Sequence, residues 1–359
     1  MPEIEPPYGL IARALDRGEV VPFFGSAASA ICRPEGETKW GFRKPFYPFG
    51  AELADELARE ASYYGRAEAG QDSAVNELLD AAAKVVPGVE RDKLKTAFEP
   101  VIRKHVGMPP LALIASFVAH VQSTREDLDQ ELRETFSVKT KPGDLQTTLA
   151  TIPTIKLYVT TNYDDLIETA LADVNRRPNV LVDRSDKGLL FYKQGDAPEP
   201  AGPSDLDRLL GDGPKGLPET PIVFKLHGSI DRKNSENDSY LITEEDYVDF
   251  LGRSWGYIPE YIEQRLMAGK KLLFLGYSLE DWNVRVILSK LLNPRLERRK
   301  DRAQLLFDAD NRDRRFWAIV RGRSDAEQRV WQAKNLNIYP MDLREFTDKL
   351  VAALHERRT

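Results

Sequence analysis

IKLYVTTNYDDLIETAL, residues 155–171, changes character twice. It opens as an apolar run, turns polar over TTNYDD, and resumes with Leu166, Ile167, Ala170 and Leu171 at helical spacing. A run that is apolar almost throughout, rather than at alternate positions, fits a strand buried on both faces, as in a parallel sheet covered by helices. Thr161 and Asp164 fit the Ser/Thr-x-x-Asp/Glu pattern of a helix start. Asn162 is thereby placed at the C-terminal end of a strand, where open α/β sheets bind ligands.

Three other segments share this grammar of apolar strand, tight turn and, often, helix. They are EVVPFFGSAASA (19–30), PIVFKLHGSID (221–231) and KKLLFLGYSLEDWNVRVILSKLL (270–292). Further strands are expected in RFWAIVRG (315–322) and LNIYPMD (336–342), and a last helix in LREFTDKLVAALHE (343–356). Strands separated by helices predict an α/β fold with a Rossmann-like doubly wound parallel sheet. Between the first two strands, Phe49, Leu53 and Leu57, then Leu111, Ile114 and Val118, repeat at helical spacing. A helical insertion is expected over about 48–150, interrupted at Pro109-Pro110. The stretch of about 176–220, rich in Pro, Gly and Asp, reads as an irregular loop. Residues 1–359 read as one domain carrying these two additions.

Composition narrows the functional classes. Hydrophobic residues at 42% and charged residues at 30% suit an ordinary globular core. A net charge of −6 gives no support for non-specific nucleic-acid or membrane binding, and the basic run 295–302 reads as solvated surface. The single cysteine, Cys32, excludes a disulfide framework and any multi-cysteine metal site. The opening MPEIEPPYGL has neither a basic nor an apolar leader region, and LALIASFVA (111–119) is too short to span a bilayer. These features predict a cytoplasmic location.

Each candidate site residue has a plain structural alternative. In FFGSAAS, Gly25 and the small residues after it would let backbone approach a phosphate, but turn geometry explains them equally well. The standard dinucleotide-binding GxGxxG does not follow this strand, and a Walker A loop is absent. Asn162 and Asp164 fit a ligand site or a helix cap. His227, beside Gly228 at a strand end, fits a crevice or a satisfied structural position; His105, His120 and His355 sit in helical or terminal contexts. Gly276, followed by Ser278 and Asp281, repeats the strand-to-capped-helix design.

The order of these segments is more informative than any one of them. Gly25-Ser26-Ala27-Ala28-Ser29, Thr160-Thr161-Asn162-Tyr163-Asp164, His227-Gly228 and Gly276-Tyr277-Ser278 resemble, in order, the four motifs of the sirtuin superfamily. TTNYDDLIE, FKLHGSID and FLGYSLEDWNVR resemble its bacterial antiphage-defence branch. The resemblance implies NAD as substrate and no metal. It implies Gly25, Ser26, Ala27 and Ser29 along the diphosphate, Asn162 and Asp164 at the nicotinamide ribose and carboxamide, and His227 as the catalytic histidine. Gly276 and Ser278 would meet the adenosine side.

Departures from the sirtuin pattern redirect the chemistry. Ala27 stands where sirtuins have a second glycine, and Thr161 where they have glutamine. The zinc ribbon of protein deacylases is impossible with one cysteine, and no Pro-x-Phe-Arg continuation follows the first motif. The resemblance thus implies an NAD hydrolase releasing nicotinamide and ADP-ribose. Its partners would be further copies of itself, in a homo-oligomer, and a HerA-type ATPase or an Argonaute-type protein. The competing readings are an NAD- or ADP-ribose-binding module without turnover, a deacylase, and a partner-dependent nuclease.

Overall fold

A computed structural model describes residues 5–34, 36–37, 39–42, 44–61, 63, 110–184, 188–202, 205–206, 219–252, 262, 267, 269–277, 316–320 and 325–358. The strands are β1 (Val20–Phe24), β2 (Leu157–Thr160), β3 (Asn179–Asp183), β4 (Leu189–Tyr192), β5 (Glu199–Ala201), β6 (Ile222–Lys225), β7 (Gly228–Ser229), β8 (Ser239–Tyr240), β9 (Lys271–Leu275), β10 (Phe316–Val320) and β11 (Leu336–Pro340). Nine of them form one sheet in the order β11-β10-β9-β1-β2-β6-β3-β4-β5. The seven from β11 to β3 run parallel, and β4 and β5 add antiparallel at one edge. This is the expected Rossmann-like α/β sheet.

Burial on both faces explains the unbroken apolar runs. Val21, Phe23, Val159, Phe224 and Phe274 point into one core, with Phe250 and Trp331. Val20, Phe24, Tyr158, Val223, Leu273 and Trp317 point into the other, against helices Tyr8–Asp16, Asp144–Ala150, Leu166–Asp173 and Leu343–Arg358. Each large side chain so buried contributes on the order of 1.5–3 kcal/mol. From β1 the chain steps to β2 on one side; from β9 it steps to β10 and β11 on the other. The order therefore reverses between β1 and β9, the switch point where open sheets leave a crevice.

The described part of the insertion is helical, with Gly50–Glu60, Leu111–Phe117, a π turn Val118–Gln122, Arg125–Phe136 and Asp144–Ala150. Pro110 caps the second helix rather than merely interrupting one. The first four of these elements have their own core, built on Tyr47, Leu53, Leu57, Ile114, Leu128, Leu132 and Phe136, and it includes Tyr163 and Leu166 from beside Asn162.

The stretch 176–220 is not the irregular loop its composition predicts, for β3, β4 and β5 lie within it. The prolines mislead because Pro200 sits in the edge strand β5, where a missing amide costs no ladder bond on the open side. Ser278, the helix expected after it and the basic run 295–302 lie outside the described residues.

Candidate active site

Three strand ends meet at the switch point. Gly25 follows β1, Asn162 lies two residues past β2, and Gly276 follows β9. The two glycine turns touch. Ala27 N donates to Gly276 O (3.1 Å), and Gly25 N donates to Leu275 O (2.9 Å). A Cβ on Gly25 would lie 2.7 Å from Gly276 O, and one on Gly276, at φ +75°, would lie 2.5 Å from Ala28 N. Both glycines are therefore required by the contact between loops. The amides of Gly25, Ala27 and Ala28 all donate within the protein, while Ser26 opens the short helix Ser26–Ala30 in an exposed position.

Asn162 is fixed from several directions. Its backbone amide donates to Thr160 Oγ1 (2.9 Å), which itself donates to Phe24 O (3.1 Å). Its side-chain Nδ2 donates to Gly25 O (2.9 Å) and to Ser29 Oγ (2.7 Å). A carbonyl oxygen only accepts, so the face turned to Gly25 must be the NH₂ group. Both its protons are engaged, and the amide's remaining polar atom is the acceptor Oδ1.

Ser29 continues the chain. Its hydroxyl accepts from Asn162, so its one proton goes to Asp164 Oδ2 (2.6 Å). Asp164 Oδ1 accepts from Leu166 N (3.1 Å). Asp164 thus meets the first amide of the helix Leu166–Asp173, whose N-cap is Asp165, a correction to the expected Thr161-to-Asp164 pattern: the helix starts later, and Thr161 instead places Oγ1 3.5 Å from Tyr277 Oη. Burial pushes the Asp164 carboxyl above its usual range, against the pull of the Lys225 ammonium. Ser29 and Asp164 are both buried, and their polar atoms face Asn162 and the helix start.

His227 follows β6, the neighbour of β2. Thr160 and Lys225 are register partners, so Asn162 and His227 each lie two residues beyond the same level of adjacent parallel strands. The ring is only 5% exposed, with the rings of Tyr247 and Phe250 edge-on at 5.6 Å and 5.8 Å. Nε2 is buried without a hydrogen-bond partner. Burial pushes the imidazole down to about 3. The ordinary imidazole value near ~6.5 does not hold here, and the group is uncharged at neutral pH. Gly228, at φ +90°, lets the chain turn sharply: a Cβ there would lie 2.1 Å from Ser239 O.

Residues 156–339 match the model of the SIR2-like domain. The chain belongs to the SIR2-like family. The family match begins at β2, so it takes in Asn162, His227 and Gly276, and the sheet order brings the earlier Gly25 and Ser29 to them. Three proteins named NAD(+) hydrolase ThsA are similar to this SIR2-like chain. That of Cytobacillus dafuensis is 32% identical over 170 residues, covering 46% of this chain and 27% of that protein. That of Enterococcus faecium is 30% identical over 168 residues, covering 47% and 29%. That of Acinetobacter baumannii (strain 532279) is 27% identical over 181 residues, covering 50% and 31%. The chain thus spans less than a third of the length of each relative.

Two partners of the site escape a reading of the sequence. Lys225, inside the apolar strand β6, and Glu168, on the helix after Asn162, form an ion pair behind the turn (3.0 Å). A lysine within VFKLHG is the signal that marks it. Among the described residues no group of His, Cys, Asp and Glu is placed to hold a metal ion, and no helix is long and apolar enough to cross a membrane.

Proposed function

We propose that this SIR2-like domain cleaves the nicotinamide–ribose bond of NAD by hydrolysis, giving nicotinamide and ADP-ribose, as an effector of antiphage defence. The observation that carries the reading is the locked Asn162 amide at the β1–β9 switch point, with Oδ1 as its remaining acceptor. The similarity to proteins named NAD(+) hydrolase supports it.

The chemistry asks little of acid catalysis. Nicotinamide starts as a pyridinium cation and leaves as a neutral molecule, so no acid is needed to protonate it, unlike the alkoxide of an ordinary glycoside. Water supplies the new C–O bond to the ribosyl carbon and releases one proton. Asn162 Oδ1 accepts a hydrogen bond from that water or from a ribose hydroxyl. An uncharged His227 adds no positive charge beside a cationic substrate, and its Nε2 has no hydrogen-bond partner within the protein. Gly25, Ser26 and Ala27 would run along the diphosphate, with Gly276 on the adenosine side; Ser29 and Asp164 act on Asn162 rather than on the ligand.

Purified protein incubated with NAD should release nicotinamide and ADP-ribose. Asn162→Ala and His227→Ala should each slow release on the order of 10²-fold. Unchanged turnover in both variants defeats the site assignment. The burial of His227 favours a second reading, an NAD- or ADP-ribose-binding protein without turnover; retained nucleotide with no nicotinamide release would select it. A homo-oligomer, and association with a HerA-type ATPase, belong to the same proposal and are tested by sizing the protein alone and co-purified with the ATPase.

A further inference from the structure

We infer that Lys225 is a positioning residue for the proposed NAD-cleaving site, its ammonium holding the peptide carbonyls behind Asn162 so that the Asn162 amide stays locked. The inference rests on the reading of the site given above. Lys225 is 1% exposed, and its Nζ donates to three acceptors: Tyr163 O (3.3 Å), Asp164 O, and Glu168 Oε1 (3.0 Å). An ammonium has three protons, so its donors are fully used. Two of them go to consecutive carbonyls of the turn between β2 and the helix Leu166–Asp173.

That turn has no helix or strand ladder of its own between Thr161 and Asp165. Asn162 is anchored on one side through Ser29 to the Asp164 carboxyl. The backbone of the same Asp164 is anchored on the other side by Lys225. Moving the Asp164 peptide would move the carboxylate that ends the chain from Asn162. A buried cation is a costly way to hold two carbonyls. Glu168 supplies the counter-charge, but only Oε1 is engaged, while Oε2 is buried without a partner. A pair serving packing alone would be better satisfied by apolar side chains. The chemistry of Lys225 is therefore directed at the carbonyls, with Glu168 as its neutraliser.

The test removes both charges together, so that no unpaired ion remains. In Lys225→Met/Glu168→Met, kcat for NAD cleavage should fall at least 30-fold with KM within threefold, because the loss is of orientation and not of ligand contacts. Hydrogen exchange of the Asn162 side-chain amide, assigned by its disappearance in Asn162→Ala, reads the lock directly and needs no turnover. It should accelerate at least tenfold in the double variant. A folded double variant with wild-type amide protection overturns the inference, whether or not the wild type cleaves NAD; absence of cleavage by the wild type defeats only the reading of the reaction. If the double variant does not fold, Lys225→Gln is judged by the same amide-exchange criterion.

Discussion

His227 carries an acid–base consequence that its position in the chain does not disclose. Its imidazole sits at about 3 because burial disfavours the cation. In the unfolded chain the same group titrates near ~6.5. The folded pKa is the lower one, so between these values the unfolded state binds the extra proton. Stability is therefore complete above about 6.5 and is lost as pH falls toward 3, by about 1.4 kcal/mol per unit. Asp164 and Glu168 act in the opposite sense, since their carboxyls are raised by burial and the native state holds their protons longer as pH rises. The His227→Gln protein isolates the histidine from them. Denaturant midpoints from pH 5 to 7.5 should rise more steeply in the wild type than in His227→Gln; equal slopes would mean that the imidazole is solvated. The same burial predicts that kcat/KM for NAD, which reports the free enzyme, shows no limb near 6.5, and a limb there would place His227 in water. Asn162→Asp adds a complementary test. It turns a carboxylate toward Gly25 O, so it should be at least as inactive as Asn162→Ala, measured by nicotinamide release.

At the level of strands and turns, the contact between the loops after β1 and β9 is the feature most exposed to substitution. Gly276→Ala sets a Cβ 2.5 Å from Ala28 N at a φ of +75°. Left-handed strain alone costs about 1–2 kcal/mol, and the backbone clash adds to it. Gly276→Ala should lower stability by about 2 kcal/mol or more and weaken NAD binding, whereas Gly9→Ala, with nothing within 4 Å, should leave both nearly unchanged. Calorimetry of the two variants with and without NAD checks this. These elements also show where the sequence is legible. β1, β2, β6, β9, β10 and β11 announce themselves because burial on both faces makes each nearly all apolar, and Asn162 and His227 stand out as polar residues directly past such runs. The antiparallel edge does not, because β4 and β5 are short, flanked by turn residues and tolerant of Pro200. The bond from Ser29 to Asp164 joins residues 135 apart and exists only because β1 and β2 are neighbours. Motif order brings these residues under one family but says nothing of which polar atom meets which. That is why the sequence suggests Ser29 and Asp164 as ligand contacts but does not disclose the hydrogen bonds that run from Asn162 through Ser29 to Asp164.

At the scale of the whole molecule, the helical insertion and the sheet share the residues around Asn162. Tyr163 and Leu166 belong to the insertion's core, and Tyr163 Oη donates to Leu241 O (2.8 Å). Arg232, beyond β7, ties the two parts together. Its guanidinium makes two bonds to the Asp165 carboxylate (2.8 Å and 2.9 Å) and also donates to Tyr47 Oη, Val138 O and Ser137 O. Burial alone would raise the Asp165 carboxyl, yet the Arg232 bonds hold it below its usual range. Tyr47 and Val138 belong to the insertion and Asp165 to the turn before Leu166–Asp173, so one side chain spans both. Removing it should loosen both together. Arg232→Met should cost about 1–3 kcal/mol, less than the about 3–5 kcal/mol for breaking a buried pair, because the guanidinium and the Asp165 carboxylate are both partly exposed. In hydrogen exchange, peptides over 125–138 and 161–168 should lose protection in parallel while those of β10 and β11 keep it. Loss confined to the immediate neighbourhood of residue 232 would mean that the insertion is held by its apolar core alone, and that a force applied to its helices would not reach the Asn162 turn through this tie.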